Sequence, residues 1–184
     1  MISDYISPNL LEYVLGNMKK ENALAVWVSM ETGMRIGDVL KLKPTDIDKN
    51  RKIRFTASKT GKKGIAQISK ELWKELVNLD STPEHLFVGR DGKKARSRQA
   101  VYKDMKKAAK QFKALDEKQV SPHTARKVFA VEVLKEKGIS AAKNALQHSS
   151  TLTTLIYLVQ GFEDRLENLE KKLTEVLTNT EKRV

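Results

Sequence analysis

Cysteine is missing from this 184-residue chain. That excludes a disulfide scaffold, a thiol nucleophile and any zinc site built on thiolates. Aromatic residues are sparse, at 6% of the chain. No apolar run approaches the ~20 residues that span a bilayer. The first ten residues, MISDYISPNL, lack the basic-then-apolar layout of a secretory leader, so a reducing, cytoplasmic setting without membrane attachment is expected. No internal repeat and no low-complexity linker is visible. Charge of one sign is in deficit: 23 acidic residues stand against 35 lysines and arginines, a net charge of +12. What remains is a globular balance, 40% hydrophobic and 32% charged, long enough to bury a real core.

The positive excess is concentrated. Residues 41–63 hold nine basic and two acidic side chains, and residues 90–113 hold ten and two. Residues 161–184 hold five and six. A one-sided excess of this kind attracts polyanions, of which nucleic acid is the commonest.

Hydrophobic spacing and punctuation predict a mainly helical domain with one small antiparallel hairpin, an α+β class. Ser7-Pro8 is an N-cap followed by a proline at the first helical position, and Leu10, Leu11, Val14, Leu15 and Met18 continue as an apolar stripe. A second helix is expected over residues 22–32 with Gly33 as its stop, and a third from residue 35 or 36 to 42, where Pro44 bars continuation. The period then changes to two. Residues 52–56 alternate as a strand, residues 58–64 have turn chemistry, and residues 65–68 read as the returning strand. Helices follow at 70–79 and, strongly basic, at 97–112, with the short apolar element Leu86-Phe87-Val88 between them. Ser121-Pro122 opens another helix that Gly138 ends; further helices are expected at 140–146, 151–159 and 162–177. Trp27 and Trp73 sit at helical apolar positions and are expected in the core.

Four segments each set a phosphate-compatible side chain beside a turn or helix start: residues 32–38 with Arg35 and Asp38, the turn Ser58-Lys59-Thr60-Gly61, the run His123-Thr124-Ala125-Arg126, and residues 146–157 with His148 and Tyr157. In order, spacing and context these resemble the tyrosine recombinases, or phage integrases, whose pattern is Arg, a hairpin Lys, His-x-x-Arg, His or Trp, then Tyr. Residues 123–130 resemble H-x-L-R-H-T-F-A, and residues 146–157 resemble L-G-H-S-S-x-x-T-T-x-x-Y, with nine positions from His148 to Tyr157. The resemblance covers about residues 8–160. Ala125, Lys127 and Gln147 depart from the usual Leu, His and Gly without removing a catalytic group.

The resemblance implies a recombinase catalytic domain over residues 1–160, an amphipathic helical tail over 161–184, and no N-terminal DNA-clamping domain within this chain. It implies site-specific cleavage and rejoining of double-stranded DNA through a covalent 3′-phosphotyrosine. Arg35, Arg126 and His148 hold the phosphate, His123 accepts a proton, Lys59 donates one, and Tyr157 is the nucleophile. Asp38, one helical turn from Arg35, is expected to orient it. Lys62 and Lys63 share the hairpin turn with Lys59, and with Arg96, Arg98, Lys103, Lys106 and Lys107 they are candidates for gripping DNA phosphates. Two other readings remain open: a type IB topoisomerase and a DNA-binding module that does not cut.

No carboxylate cluster suited to two metal ions stands out, and the phosphate loop G-x-x-x-x-G-K-[S/T] is missing, so neither metal nor nucleotide cofactor is expected. Phe162, Leu166, Leu169, Leu173 and Val176 make a heptad-like seam on a nearly neutral tail. Relatives assemble as tetramers by passing a C-terminal helix between protomers, and this tail resembles that device.

Overall fold

The computed structural model describes residues 3–146, and everything below concerns those residues. His148, Tyr157 and the tail at 161–184 lie outside them.

The elements run α1 Pro8–Gly16, α2 Lys20–Thr32, α3 Ile36–Val39, β1 Lys52–Thr56, β2 Lys63–Gln67, α4 Lys70–Val77, α5 Arg98–Ala109 and α6 Pro122–Ala145. Short 3-10 turns at Pro44–Asp46 and Lys113–Leu115 complete them. The helix starts follow the capping chemistry of the sequence. Ser7, Ser69 and Ser97 each accept a hydrogen bond from the backbone N–H three residues on, and Ser121 caps α6 ahead of Pro122. Each such cap contributes about 1 kcal/mol.

Helix α2 is the axis of the domain. Leu24, Ala25, Val26 and Val28 are buried on it, and α6, α5, α4, α3 and α1 all pack against it, α6 most extensively. Leu11 and Val14 of α1, Leu72 and Leu76 of α4, and Val101 and Met105 of α5 close the core around it, with Phe87 inserted from the loop after α4. Trp27 and Trp73, expected inside, are half-buried at the rim of this core. Trp73 keeps its indole N–H within 3.2 Å of the Asp48 carbonyl, which holds a large polar-tipped ring at the edge.

β1 and β2 form a two-stranded antiparallel sheet in which Thr56 pairs with Lys63 and Lys52 with Gln67. The returning strand starts two residues before the expected position, so Lys63 belongs to the ladder and the turn is residues 57–62. The Ala57 N–H donates to the Lys62 carbonyl, and the Thr60 and Gly61 N–H groups donate to the Ala57 carbonyl. Gly61, at φ 67°, supplies the left-handed residue that closes so tight a loop. The sheet is entered through Asp48. Its carboxylate accepts the Asn50 and Lys52 N–H groups and pairs with Arg54 at 3.0 Å, which lowers its pKa, the Lys52 bond contributing most.

Helix α6 breaks at Gly138, as its sequence predicts, with φ 79° and ψ 176° inside an otherwise helical stretch. The N-terminal segment, unassigned from sequence, is tied to the start of the same helix. Asp4 exchanges backbone and side-chain hydrogen bonds with Gln119, and Thr124 donates to the Asp4 carbonyl. No described helix is long and apolar enough to cross a membrane.

Gly33 is the residue this packing tolerates least changed. It ends α2 in the left-handed conformation, φ 67°, and a Cβ there would run into the Phe129 ring of α6. Gly33→Ala combines left-handed strain with overpacking and is expected to cost about 2–4 kcal/mol. Thermal unfolding reads this directly; an unchanged melting temperature would show that α6 does not seat on Gly33.

Candidate active site

The turn from α2 to α3 carries the first candidate side chain. After Gly33, Met34 is buried, its N–H bonded to Thr32 Oγ1 and its carbonyl accepting from Ser29 Oγ at 2.7 Å. These bonds leave Arg35 as the extended N-cap of α3, φ −68° and ψ 141°. Arg35 is half-buried, and among the described residues its guanidinium makes no hydrogen bond or ion pair.

An open cleft of about 590 Å³ lies beside it, and Arg35, Lys59, Arg98 and His123 all line its wall. The hairpin turn supplies Lys59, exposed and without a hydrogen-bond partner among the described residues. The first turn of α6 supplies His123. The first turn of α5 supplies Arg98, whose stem packs close to Gly37 of α3, with Cδ 3.3 Å from where a Cβ would stand. Arg35, Lys41, Lys59, Arg96 and Arg98 thus converge on one cleft that His123 shares.

That convergence acts on His123. Its pKa is pushed below the ordinary 6.5, first by burial and then by the positive charge of Arg126, Arg35, Lys127 and Arg98. The imidazole is therefore neutral, and able to accept a proton, at pH values where a free histidine is already half charged.

Arg126 is one layer deeper, 5% exposed. Its guanidinium donates to the backbone carbonyls of Gly33 and Leu146, which fixes its plane between the end of α2 and the end of α6. A small second pocket is lined by both Arg126 and Arg35. Lys127, beside it, is buried at 2% exposure where the motif usually has histidine.

Asp38 is 7% exposed and makes no ion pair with Arg35. Its carboxylate instead accepts the Ser58 N–H at 3.2 Å. The expected partner is replaced because α3 is a single turn packed against the hairpin, which brings the Ser58 amide to the carboxylate.

The remaining basic candidates divide by position. Lys62 is exposed in the hairpin turn, and Lys63 lines the groove on the other side of the hairpin. On α5, Lys103 and Lys107 are exposed, whereas Lys106 lies over the Tyr102 ring at 5.6 Å. Arg96 differs from the rest. It donates to Asn22 Oδ1 at 3.0 Å and pairs with Glu21 at 3.4 Å, while Asn22 in turn bonds Asp104 of α5 at 2.6 Å. Its Nε is buried without a hydrogen-bond partner among the described residues. Arg96 lines the cleft as well, but its guanidinium is held as a strut between α2 and the loop before α5. Sequence reasoning missed Lys41, Ser58 and Gln99, which also line the cleft. Lys41 lies in the basic run 41–63, the one signal that pointed to it. Among the described residues no group of three or more His, Asp or Glu side chains is placed to hold a metal ion.

A mainly helical domain with one hairpin, presenting arginine, hairpin lysine and His-x-x-Arg on adjoining surfaces, has the architecture of a tyrosine recombinase catalytic domain. The profile of the phage integrase family matches residues 6–163, and the chain belongs to that family. It is 29% identical over 149 residues to a probable integrase/recombinase of Acholeplasma phage L2, covering 77% of this chain and 50% of that protein. It is 28% identical over 151 residues to the probable integrase/recombinase YoeC of Bacillus subtilis (strain 168), covering 80% and 81%. Among solved structures, the XerA recombinase superposes with a TM-score of 0.69 at 26% identity, over 85% of this chain and 60% of that one. The catalytic domain of bacteriophage HP1 integrase shares the fold at a TM-score of 0.62 and 21% identity, over 86% and 89%. The chain thus spans about half the length of the phage L2 relative and most of YoeC.

The two arginines flanking Ser97 are predicted to separate cleanly. Arg98→Ala is expected to reduce the slope of log affinity for duplex DNA against log salt by about one charge. Arg96→Ala is expected to leave that slope unchanged and to lower the melting temperature. Salt titrations and melts of both variants check this; equal slopes for the two would contradict it.

Proposed function

We propose that this chain is the DNA breaking-and-rejoining unit of a site-specific tyrosine recombinase, acting through a covalent 3′-phosphotyrosine. The observation that carries the reading is the cleft in which Arg35, Lys59 and His123 face one space while burial and surrounding cations favour the unprotonated His123.

A phosphodiester repels nucleophiles, and in-line attack places more charge on its nonbridging oxygens. Arg35, Arg126 and His148 donate hydrogen bonds to those oxygens, and preorganised donors of this kind supply the largest share of the rate. Tyr157 attacks phosphorus and its phenolic proton passes to His123. The bond from phosphorus to the 5′ oxygen breaks, and Lys59 gives that oxygen a proton. The reverse sequence reseals a strand. The tyrosyl ester retains the energy of the broken bond, so no nucleotide is consumed.

Residues 1–160 form the catalytic unit. Arg98, Lys62, Lys63, Lys103, Lys106 and Lys107 provide phosphate contacts along the DNA; Arg96 acts through the fold. The tail at 161–184 docks on a neighbouring protomer and closes a tetramer on DNA.

The test is to trap the covalent step. Nicked duplexes tiling the DNA that flanks the gene are incubated with the protein, and denaturing gels reveal adducts, since loss of the short 5′ fragment prevents rejoining. Wild type is expected to form an adduct, and Tyr157→Phe to bind DNA and form none. Tight binding without any adduct would overturn the reading in favour of a module that binds without cutting.

The same assay has a pH signature. With its pKa lowered, His123 stays in the proton-accepting form as pH falls through 6.5, and is lost only below that. The acid limb of adduct formation is therefore expected to have its midpoint below 6.5, the ordinary histidine value. A midpoint at or above 6.5 would remove His123 from the role.

A further inference from the structure

Lys59, the least constrained of the proposed site residues, sits on a turn that three interactions anchor from below. Ala57 is buried against the core side of the turn. The Ser58 N–H donates to Asp38 Oδ1 at 3.2 Å, and Ser58 Oγ accepts from Lys41 Nζ at 2.9 Å. Asp38 and Lys41 both belong to α3 and the residues directly after it. In that single helical turn the Arg35 carbonyl accepts the Asp38 and Val39 N–H groups at 2.8 and 3.0 Å. A rigid bracket thus runs from Arg35 through Asp38 to Ser58, and Lys59 is the next residue. A carboxylate that is 7% exposed is costly to hold, and its one side-chain hydrogen bond within the described residues goes to the turn, not to the arginine.

We infer that Asp38 is a positioning residue for Lys59: by accepting the Ser58 N–H, it holds the hairpin turn where the Lys59 ammonium reaches the leaving 5′ oxygen. This rests on the reading of Lys59 as proton donor. Asp38 touches no DNA. It sets the distance between the arginine that holds the phosphate and the lysine that protonates the leaving group, and displacement of such a group by ~1 Å costs ~10²-fold in rate.

The test removes the need for the proton. A duplex already cleaved by the wild-type protein is remade with sulfur in place of the 5′-bridging oxygen at the scissile bond. An alkyl thiol has a pKa of about 8.5, far below that of an alcohol, so the thiolate departs unprotonated. Adduct formation is timed on both duplexes for wild type, Lys59→Ala, Asp38→Ala, Asp38→Asn and Arg35→Ala.

Lys59→Ala is expected to lose ~10²–10⁴-fold on the oxygen duplex, the usual contribution of general acid catalysis, and to return close to wild type on sulfur. Asp38→Ala is expected to lose ~10²-fold on oxygen and likewise return. Arg35→Ala is expected to stay impaired on both. The ratio is read on Asp38→Ala where its melt matches wild type, and otherwise on Asp38→Asn, which keeps an acceptor for the Ser58 N–H and is expected to lose less. Impairment of the variant so read that is equal on both duplexes, or an unimpaired Asp38→Ala, overturns the inference. Failure of Lys59→Ala to recover overturns instead the assignment of Lys59 as the proton donor.

Discussion

The contact between the end of α2 and the middle of α6, made at Gly33, is the constraint on which the site depends. A residue without a side chain lets the Phe129 ring close over the helix end. The same close approach brings the Gly33 carbonyl within reach of the Arg126 guanidinium. Two residues further on, the turn released by the left-handed glycine delivers Arg35 as the cap of α3. One packing event therefore places both arginines of the site, although 91 positions separate them in the chain. α6 could not shift along α2 without moving Arg126, and His123 on the turn before it, away from Arg35.

Gathering cations around one cleft has an electrostatic cost, and several acidic residues of the fold are engaged in structural hydrogen bonds and ion pairs. Glu21 and Asp104, with Asn22 between them, tie Arg96, the start of α2 and α5 together. Asp48 organises the entry to the hairpin and Asp91 the loop before α5, each accepting backbone N–H groups that lower its pKa. Asp38 anchors the lysine turn. Near the cleft the scarce carboxylates thus serve as struts, leaving Arg35 and Lys59 unpaired among the described residues. That leaves positive charge facing the cleft, as the proposed phosphate site requires. The depressed pKa of His123 follows first from burial and then from the positive charge of Arg126, Arg35, Lys127 and Arg98.

Much of this was legible in the sequence because it is locally encoded. Ser7-Pro8 and Ser121-Pro122 start α1 and α6, Gly33 ends α2, Gly138 breaks α6, and the change of period at residue 52 marks the hairpin. Order and spacing also pointed to Arg35, Lys59, His123 and Arg126, and the structure brings the first three to one cleft. What escaped is what only tertiary contact decides. The two 3-10 turns have no periodicity of their own. Lys63 enters the ladder because Gly61 closes the turn earlier than composition implied. Arg96 reads as one more basic residue until Glu21 and Asn22, more than seventy positions away, are brought beside it. Asp38 at helical spacing from Arg35 reads as its partner, but the hairpin amide lies closer once the strands fold back.

The central claim is that the cleft between α3, the hairpin and α6 holds the scissile phosphate by its charge. Replacing one nonbridging oxygen of that phosphate by a methyl group removes the charge while keeping the reacting bond. The rate of adduct formation by Arg35→Ala, relative to wild type, should be depressed ~10²–10³-fold on the charged phosphate and much less on the neutral one. The same loss on both would mean that Arg35 supports the fold and not the phosphate, and the account of the site would fail.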